Sequence, residues 1–575
     1  MTNRYYTVVA LIGIIAALVF IPSIGNCNLF DWDEVNFAEC AREMVVSGDY
    51  SHVQLNFRPF WEKPPFFIWL QAISMNIFGV NEFAARFPNA VCSIVTLVSL
   101  FVIGKKFHSQ QFGITWVLLY ASTLLPHLYF KSGLIDPWFN LFILLSVYHC
   151  INFINNPTGR RELARAALAG LFLGLAVLTK GPAALVIVAG TVLVFHIWTR
   201  KTGELFSKPM LVFIASSLLV SASWFLIEWA KGNGHIIKEF VDYQVRLFQT
   251  GDAGHGGPFA YHFIVLLLGC FPASIIFIAS YFKFLELTPF QRLFRKVFIS
   301  LFWVVLLLFS FAQTKIIHYS SLCYFPLTLV ATIGLVQYSG SLQFRPWVRA
   351  LYWIIAALFS IAFTAIGFTE QIKDSLIRSG IIADEFARRN LQADVHWSGF
   401  EFLNGLVFLA GAALIYYAIK NNKRRLLIAG LVVNLVFINV AIATIIPKVE
   451  LYSQHAAIDF YRSCAGKNVD IETHGFKSYA YIFYSNRTPH DFSNPHQVKY
   501  INRQLDVMEK EGHSRIASFS ISNMLWMEHG IIDRPAFIVV KTPLEADLAS
   551  NSQLHKLYSR NGYSFYVRMP AAPAK

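Results

Sequence analysis

Residues 425–446 read RLLIAGLVVNLVFINVAIATII, a run with no charged residue after its first position. A helix of about 20 apolar residues crosses the hydrocarbon core of a bilayer, which is about 30 Å thick. Runs of comparable length recur along the chain, and they predict thirteen membrane spans. We place the spans at residues 6–23, 84–104, 112–130, 134–153, 164–179, 181–199, 209–229, 261–283, 297–313, 317–338, 350–368, 401–419 and 425–446.

The composition agrees with a membrane protein of many spans. Of the 575 residues, 55% are hydrophobic and 14% are charged, and one soluble core could not bury that much apolar surface. The formal net charge of +14 would suggest nucleic-acid binding in a soluble domain, but most basic residues fall in short loops between the predicted spans, so nucleic-acid binding is a poor interpretation. The seven cysteines fit neither a disulfide framework nor a zinc ribbon, and a bridge between Cys27 and Cys40 is left open.

The basic residues also predict how the chain crosses the membrane. They cluster on alternate loops, and the positive-inside rule assigns such loops to the cytoplasm. This predicts a cytoplasmic N-terminus, an uncleaved first span and an outer location for the end of the chain. The clusters are Lys105 and Lys106; Arg160, Arg161 and Arg165; Arg200, Lys201 and Lys208; Arg292, Arg295 and Lys296; Arg345 and Arg349; and Lys423, Arg424 and Arg425.

Two stretches differ from the spans. The apolar run 66–79 follows two prolines and is short, so we interpret it as an interfacial or re-entrant helix. From Pro447 the composition becomes mixed, and strand-like pieces occur at 536–541 and 564–568. We therefore predict a transmembrane domain over residues 1–446, with an outer loop at 24–83, and a small exported α/β domain over residues 447–575.

The outer loop at 24–83 carries acidic residues directly after the first span. These are Asp31, Asp33 and Glu34. Near a low-dielectric boundary the pKa of a carboxyl group rises, and the group can act as a general base on an incoming hydroxyl. The alternative is a solvated loop with helix-capping acids. Farther along, Glu62-Lys63 precedes two prolines, and this turn would hold a lysine where a lipid phosphate sits.

Asp136 and Lys180 are predicted on the same face of the membrane. Asp136 lies at the outer edge of the fourth span, where it is either a functional carboxylate or a cap for the helix that begins at Pro137. Lys180 lies at an outer turn between two spans. It is either part of a binding site or a snorkelling anchor.

Two later segments add basic and aromatic groups to that face. The loop after span seven contains Arg246 and the Gly-rich stretch that begins at His255, although an exposed loop histidine needs no function. Span ten opens with Lys315, His318 and Tyr319. Lysine, arginine and tyrosine side chains satisfy phosphate oxygens well, so we predict an anion site at the bilayer interface.

The order of these motifs resembles one family. They are Asp33-Glu34 before an Ala-Arg-Glu-Met helix, Glu62-Lys63-Pro-Pro, the edge at Asp136, Thr179-Lys180-Gly-Pro, His255-Gly-Gly-Pro-Phe, and Lys315…Tyr319…Pro326. The set resembles the 4-amino-4-deoxy-L-arabinose transferases of lipid A and their relatives in the protein O-mannosyltransferase superfamily, over about residues 1–446. The resemblance implies a GT-C fold, with a helical membrane bundle, an active site on its outer face and a sugar donor carried on polyprenyl phosphate.

The resemblance also implies roles for individual residues. Asp33, with Glu34 beside it, and Asp136 would activate or orient the acceptor. No cofactor is required, although Glu62 and His255 would suit a divalent cation such as Zn²⁺ or Mg²⁺, two ligands being too few to define a site. The residues expected near the donor phosphate are Arg58, Lys63, Lys180, Arg246, Lys315 and Tyr319.

The predicted function is that of an integral-membrane glycosyltransferase in a bacterial inner membrane. It would move a single sugar from polyprenyl phosphate to lipid A, a glycan or a protein on the periplasmic face, with inversion. After the lysine the lipid A enzymes typically read Leu-Pro-x-Tyr, whereas residues 316–319 read Ile-Ile-His-Tyr, so the sugar and acceptor stay open. The alternatives are a transporter or flippase of polyprenyl-linked sugars and a scaffold with an exported sensing domain.

Overall fold

The computed structural model describes residues 2–60, 62–155, 160–200, 207–249, 256–282, 286–337, 342–489, 494–510 and 515–571. A helical body comes first, and a small α/β domain follows it. The helices of the body are α1 Thr2–Phe20, α2 Asp33–Ser47, α3 Phe66–Phe78, α4 Glu82–Phe107, α5 Gln110–Ala121, α6 Leu124–Phe130, α7 Asp136–Asn155, α8 Arg160–Lys180, α9 Ala183–Thr199, α10 Lys208–Ala230, α11 Gly234–Gln249, α12 Tyr261–Gly269, α13 Ala273–Tyr281, α14 Pro289–Phe311, α15 Tyr324–Gln337, α16 Pro346–Gly367, α17 Thr369–Arg378, α18 Glu385–Asn390, α19 Leu403–Lys420 and α20 Arg424–Leu451.

Nine helices within the described ranges are long and apolar enough to cross a membrane. The protein is therefore a multi-span membrane protein, as predicted, but the count of thirteen spans is not confirmed. A tenth candidate is the pair α12 and α13, which are bent by 110° at their junction. The nine are α4, α7, Arg161–Lys180 of α8, α10, α14, the segment Ile317–Gln337 that ends in α15, α16, α19 and α20.

The remaining predicted spans are helical but short or broken. The runs 6–23 and 181–199 form α1 and α9, whose apolar segments, Arg4–Phe20 and Ala183–Thr199, are shorter than the nine candidate spans. The run 112–130 divides into α5 and α6 at Ser122 and Thr123, where the Thr123 hydroxyl donates to the carbonyl oxygen of Leu119 at 2.6 Å. The run 261–283 bends at Pro272, since proline lacks the N–H that a continuing helix would donate.

The 24–83 loop folds between the helical body and the C-terminal domain. Its helix α2 is almost entirely buried, although it carries several charged residues. Arg42 donates to both carboxylate oxygens of Glu39, at 2.6 and 2.7 Å. Glu43 accepts hydrogen bonds from the backbone N–H groups of Asn56 and Phe57, beside the short hairpin of β1 Gln54–Leu55 and β2 Arg58–Pro59. The short apolar helix α3 follows, as predicted.

The C-terminal domain contains the strands that the sequence predicted. Its four-stranded sheet has the order β3-β4-β6-β5, in which β3 and β4 are parallel and the other pairs are antiparallel. The parallel pair requires a crossover, and helices α22 to α24 supply it. The elements are α21 His455–Ser463, β3 Asp470–His474, α22 Ala480–Tyr484, α23 Pro495–Lys510, α24 Arg515–His529, β4 Ala536–Lys541, β5 His555–Arg560 and β6 Tyr563–Arg568.

The join between the two parts differs in detail from the sequence interpretation. Helix α20 continues through Pro447 to Leu451, so the helical body extends past residue 446. All seven cysteines are free, and the bridge between Cys27 and Cys40 is absent. Cys40 is buried within α2, where it packs as a small apolar side chain.

Hydrogen bonds attach the C-terminal domain to the start of the 24–83 loop. The backbone N–H of Leu29 donates to the Tyr484 hydroxyl at 2.7 Å, and the indole N–H of Trp32 donates to the carbonyl oxygen of Lys477 at 3.0 Å. The backbone N–H of Tyr479 donates to Asp31 Oδ1 at 3.2 Å. The acidic end of the loop is thus held from both sides, by the helical body and by the C-terminal domain.

Candidate active site

A cavity of about 1030 Å³ lies where the 24–83 loop, the adjoining helix ends and the C-terminal domain meet. We call it the acid–base cavity. It brings together residues that are far apart in the sequence. The predicted site residues that line it are Asp33, Glu34, Glu62, Lys63, Lys180, Arg246 and Tyr319.

His318 connects the two acids that were predicted to be catalytic. Its Nε2 lies 3.5 Å from Asp33 Oδ2 and 3.9 Å from Asp136 Oδ2. Asp33 has a side chain that is 34% exposed and lines the cavity, whereas Asp136 is 2% exposed and lies behind the lining residues. Lys180 donates to Asp136 Oδ1 at 2.6 Å. Of the two acids, Asp33 is therefore the one that a ligand in the cavity can contact.

Local structure explains why these acids occupy their positions. Helix α2 begins at Asp33 and helix α7 begins at Asp136, and a carboxylate in the first turn of a helix is stabilised by the helix dipole. Asp136 is in the first turn of α7, and its Oδ1 accepts a hydrogen bond from Lys180. His318 projects from the 3₁₀ helix Ile317–Cys323, which precedes α15.

Glu34 is held in a buried ion pair. Arg86 of α4 donates to both of its carboxylate oxygens, at 2.7 and 2.8 Å. The backbone N–H groups of Phe30 and Gly133 donate to the same carboxylate, at 2.8 and 2.6 Å. Burial alone would raise the pKa of Glu34, but Arg86 and the hydrogen bonds outweigh burial and lower it. Glu34 is therefore an ionised group with four donors around it, which joins the loop to α4.

Two cations that line the cavity face one aromatic ring. Lys63 Nζ lies 5.1 Å from the centre of the Tyr243 ring, and the Arg246 guanidinium carbon lies 5.2 Å from it. Tyr243 is on the face of the amphipathic helix α11 that is buried together with Ile236 and Phe240. The ring therefore has a fixed position, and it holds two cations within the range of a cation–π interaction.

Tyr319 lies beside the ion pair of Lys180 and Asp136. Lys180 Nζ is 5.0 Å from the centre of the Tyr319 ring, which packs against Phe309 at 5.1 Å between ring centres. The ammonium of Lys180 therefore contacts both Tyr319 and Asp136. A snorkelling lysine keeps its ammonium in water, whereas the ammonium of Lys180 is paired with the buried carboxylate of Asp136.

Two residues expected near a donor phosphate do not line this cavity. Lys315 is buried, and its ammonium donates to the carbonyl oxygens of Phe309 and Ser310 at 3.1 and 2.7 Å and to that of Ala312. It thereby satisfies the last carbonyls of α14, a common role for a lysine at a helix C-terminus. The Arg58 guanidinium lies 3.8 Å from the centre of the Phe519 ring and lines a different cavity.

Two residues, Glu62 and His255, were predicted to bind a divalent cation, and the structure describes one of them. Glu62 lines the acid–base cavity, whereas His255 lies outside the described residues. Within the part of the chain that the structure describes, no three histidine, cysteine, aspartate or glutamate side chains are grouped as metal ligands would be.

Sequence reasoning missed four contributors to the cavity. His318 was noted only as part of a polar segment, and Asp31 only as part of the acidic cluster. Burial raises the pKa of Asp31 from 3.8 to about 6, although hydrogen bonds from Ser478 and Tyr479 oppose the rise. Lys477 and Tyr479 come from the C-terminal domain. No sequence motif marks these two, because the fold brings them to the 24–83 loop.

The chain is similar to proteins of one curated group. Residues 62–227 match the family described as dolichyl-phosphate-mannose-protein mannosyltransferase. Proteins named undecaprenyl phosphate-alpha-4-amino-4-deoxy-L-arabinose arabinosyl transferase match as well. The one from Shewanella sediminis is 28% identical over 56% of this chain and 58% of its own length, and the one from Yersinia enterocolitica is 27% identical over 58% of this chain and 60% of its own length. The chain thus spans less than two thirds of these relatives, and the resemblance inferred from the motifs is confirmed.

A solved structure shows the same fold along almost the whole chain. The crystal structure of ArnT from Cupriavidus metallidurans bound to undecaprenyl phosphate has a TM-score of 0.72, covers 98% of this chain and 99% of that protein, and is 16% identical. Its apo state also has a TM-score of 0.72. The expected GT-C fold, including a small sheet domain at the C-terminus, is therefore confirmed.

Proposed function

We propose that this protein is an integral-membrane glycosyltransferase that moves a single sugar from a polyprenyl-phosphate donor to an acceptor, with inversion. The observation that carries the proposal is the acid–base cavity, which is lined by the partly exposed carboxylate of Asp33 and by Lys63 and Arg246, the two cations around Tyr243. A sugar phosphate needs this pair of environments, because its leaving group is anionic and its attacking hydroxyl must lose a proton. The named relatives and the ligand of the similar structure agree with such a donor.

The reaction is a direct displacement at the anomeric carbon. The acceptor oxygen forms the new bond to that carbon, while the bond to the phosphate oxygen breaks and its electron pair leaves with polyprenyl phosphate. Asp33 accepts the proton of the acceptor hydroxyl. Lys63 and Arg246 stabilise the phosphate that leaves, since cations fixed in place before the reaction cost no reorganisation during it.

The other predicted residues support this chemistry indirectly. His318 holds Asp33, and Asp136 with Lys180 holds His318 from the buried side. The four hydrogen bonds to Glu34 favour a structural role over the catalytic role that the sequence suggested. Lys315 similarly belongs to the end of α14.

Location, partners and cofactors complete the proposal. We propose a bacterial inner membrane with a cytoplasmic N-terminus and a periplasmic C-terminal domain, which the basic loops support. The partners are a polyprenyl-phosphate-linked sugar, the membrane lipids and an acceptor that is lipid A, another glycan or a protein. The reaction needs no cofactor, because the donor is already activated. A divalent cation at Glu62 would add charge beside the phosphate.

The test compares cells with and without this chain. Mass spectrometry of lipid A, surface glycans and exported proteins would follow complementation with the wild type or with Asp33→Asn. We expect one sugar to be missing from one of these pools without the chain, and we expect only the wild type to restore it. If no pool changes while a polyprenyl-linked sugar accumulates on one leaflet, the proposal fails and the flippase alternative replaces it.

A further inference from the structure

Lys131 is a buried cation that lines the acid–base cavity. It follows α6 directly and is 7% exposed. Its ammonium donates to the carbonyl oxygen of Pro22 at 2.9 Å. An ammonium has three N–H donors, so this contact uses only one of them.

The other cations of the cavity lining have partners that satisfy their charge. Arg86 is paired with Glu34 at 2.7 Å, and Lys180 is paired with Asp136 at 2.6 Å. The remaining cations of the lining contact aromatic rings. Among the described residues, by contrast, no carboxylate forms an ion pair with Lys131 and no ring forms a cation–π contact with it.

Burial makes an ammonium without a counter-ion costly. Water stabilises a charge, and removal of the water favours the neutral amine unless an anion takes its place. Burial accordingly lowers the pKa of Lys131 from 10.5 to about 8. Lys131 is therefore still charged at neutral pH, and an anion in the cavity would stabilise that charge.

The simplest alternative is a structural role. The contact with Pro22 joins the end of α6 to the segment that follows α1. A hydrogen bond to one carbonyl oxygen does not require a charge, however, because a neutral amide also donates. The buried charge itself is thus not explained by this contact.

Lys131 lies near the proposed general base in the fold. Gly133, two residues after Lys131, donates its backbone N–H to Glu34 Oε1 at 2.6 Å. Glu34 follows Asp33 directly, and Asp33 and Lys131 line the same cavity. A sugar held there with its anomeric carbon toward Asp33 therefore presents its other substituents to a lining that includes Lys131.

We propose that Lys131 selects a donor whose sugar carries a carboxylate, that is, a uronic acid linked to polyprenyl phosphate. The carboxylate supplies a counter-ion for Lys131, while Lys63 and Arg246 bind the phosphate. The relatives are named for a sugar with an amino group, which would be a second cation beside Lys131. The inference rests on the proposed function and deepens it, because it names the class of the transferred sugar.

Three sugar 1-phosphates test the inference on the full-length protein in detergent. Glucose 1-phosphate has no charge besides its phosphate, glucuronic acid 1-phosphate adds a carboxylate, and glucosamine 1-phosphate adds an ammonium. Isothermal titration calorimetry at pH 7 gives the affinity for each. We expect glucuronic acid 1-phosphate to bind about tenfold more tightly than glucose 1-phosphate, which corresponds to about 1.4 kcal/mol, and glucosamine 1-phosphate to bind most weakly.

Four variants separate the carboxylate from the phosphate and from packing. Lys131→Gln should remove the preference for glucuronic acid 1-phosphate and leave the affinity for glucose 1-phosphate unchanged. Lys131→Met removes a buried charge, so its thermal unfolding midpoint should equal or exceed that of the wild type. Lys63→Gln should weaken all three probes alike, because they share the phosphate. Lys556→Gln is the matched control at an exposed lysine outside the cavity, and it should change nothing.

Three results would overturn the inference. Equal binding of glucose 1-phosphate and glucuronic acid 1-phosphate by the wild type would show that no carboxylate is recognised. A preference that survives Lys131→Gln would assign the recognition to another residue. Equal weakening of all three probes in Lys131→Gln, together with a lower unfolding midpoint in Lys131→Met, would make Lys131 a structural anchor.

Failure of the proposed function gives a different result. In that case no probe binds, or Lys63→Gln leaves all three affinities unchanged, and the phosphate site is lost together with the inference. Where Lys63→Gln weakens every probe and only the preference for the carboxylate is missing, the proposed function stands and the inference alone fails.

Discussion

Asp33 and Glu34 are neighbours in the sequence, yet the structure predicts opposite consequences when each is changed to its amide. Asp33→Asn removes the proposed general base while it preserves shape, and loss of such a base costs about 10²–10⁴-fold in rate. Its side chain is 34% exposed, and His318 Nε2 lies 3.5 Å from its carboxylate. We therefore expect little change in the thermal unfolding midpoint of this variant.

Glu34→Gln should show the reverse pattern. Its carboxylate accepts four hydrogen bonds, two of them from Arg86, and an amide would turn a donor toward one of these donors. Removing one charge from a buried pair destabilises by about 3–5 kcal/mol, because the other charge stays buried. We expect a clearly lower unfolding midpoint, with turnover per folded molecule close to that of the wild type.

The assay measures both properties on the same purified samples. Transfer of labelled sugar to a hydroxyl acceptor is normalised to the folded fraction, and unfolding is followed in the same detergent. The reasoning is refuted if Asp33→Asn transfers sugar at the wild-type rate. It is also refuted if Glu34→Gln keeps the wild-type midpoint and loses turnover, since Glu34 would then be the base.

Three more outcomes follow from the same contacts. Lys63→Gln should raise KM for the polyprenyl-phosphate donor by about 10–100-fold, the value of a charge-assisted hydrogen bond, and unchanged donor kinetics would exclude Lys63 from the phosphate site. His318→Leu should lower kcat about 100-fold without changing donor KM, because Asp33 loses its positioning partner, and retention of the rate in His318→Gln, whose amide reaches the position of Nε2, would distinguish positioning from packing. The pKa of Asp31 rises from 3.8 to about 6 on folding, so the free energy of unfolding should fall as pH increases between these values; Asp31→Asn should remove this dependence, which thermal unfolding at pH 4.5 and pH 7 would reveal.

The membrane topology was largely predictable because hydrophobic length is a local property. Runs such as 84–104 and 425–446 became α4 and α20. The count of thirteen is not confirmed, and two of the runs outside the nine are those in which a local feature changes the backbone inside an apolar run. Thr123 bonds the carbonyl of Leu119 and Pro272 interrupts the next helix, and hydropathy registers neither event. The strands at 536–541 and 564–568 were predictable for the same local reason, whereas their partners in the sheet were not.

From the sequence, the residues of the site could be predicted only where a charged residue stands in apolar surroundings. Lys63 and Arg246 could be selected because a cation beside a span needs an explanation. Their joint contact with Tyr243 could not be foreseen, since it depends on which face of α11 is buried. In the sequence, Glu34 and Lys315 look like Asp33 and Lys63. In the structure, Glu34 is paired with Arg86, and Lys315 donates to the carbonyls of α14. Only these contacts distinguish a structural charge from one that faces a ligand.

The arrangement of charge within the acid–base cavity sets the direction in which a sugar phosphate can lie. Two unit charges 4 Å apart interact by about 4 kcal/mol at the effective dielectric constant of a protein surface. A phosphate beside Asp33 would meet repulsion of that order, whereas beside Lys63 and Arg246 it would meet attraction. We therefore expect the phosphate to lie against the cations around Tyr243, with the anomeric carbon toward Asp33. A hydroxyl that approaches past Asp33 would then attack opposite the leaving phosphate, which is the geometry that inversion requires.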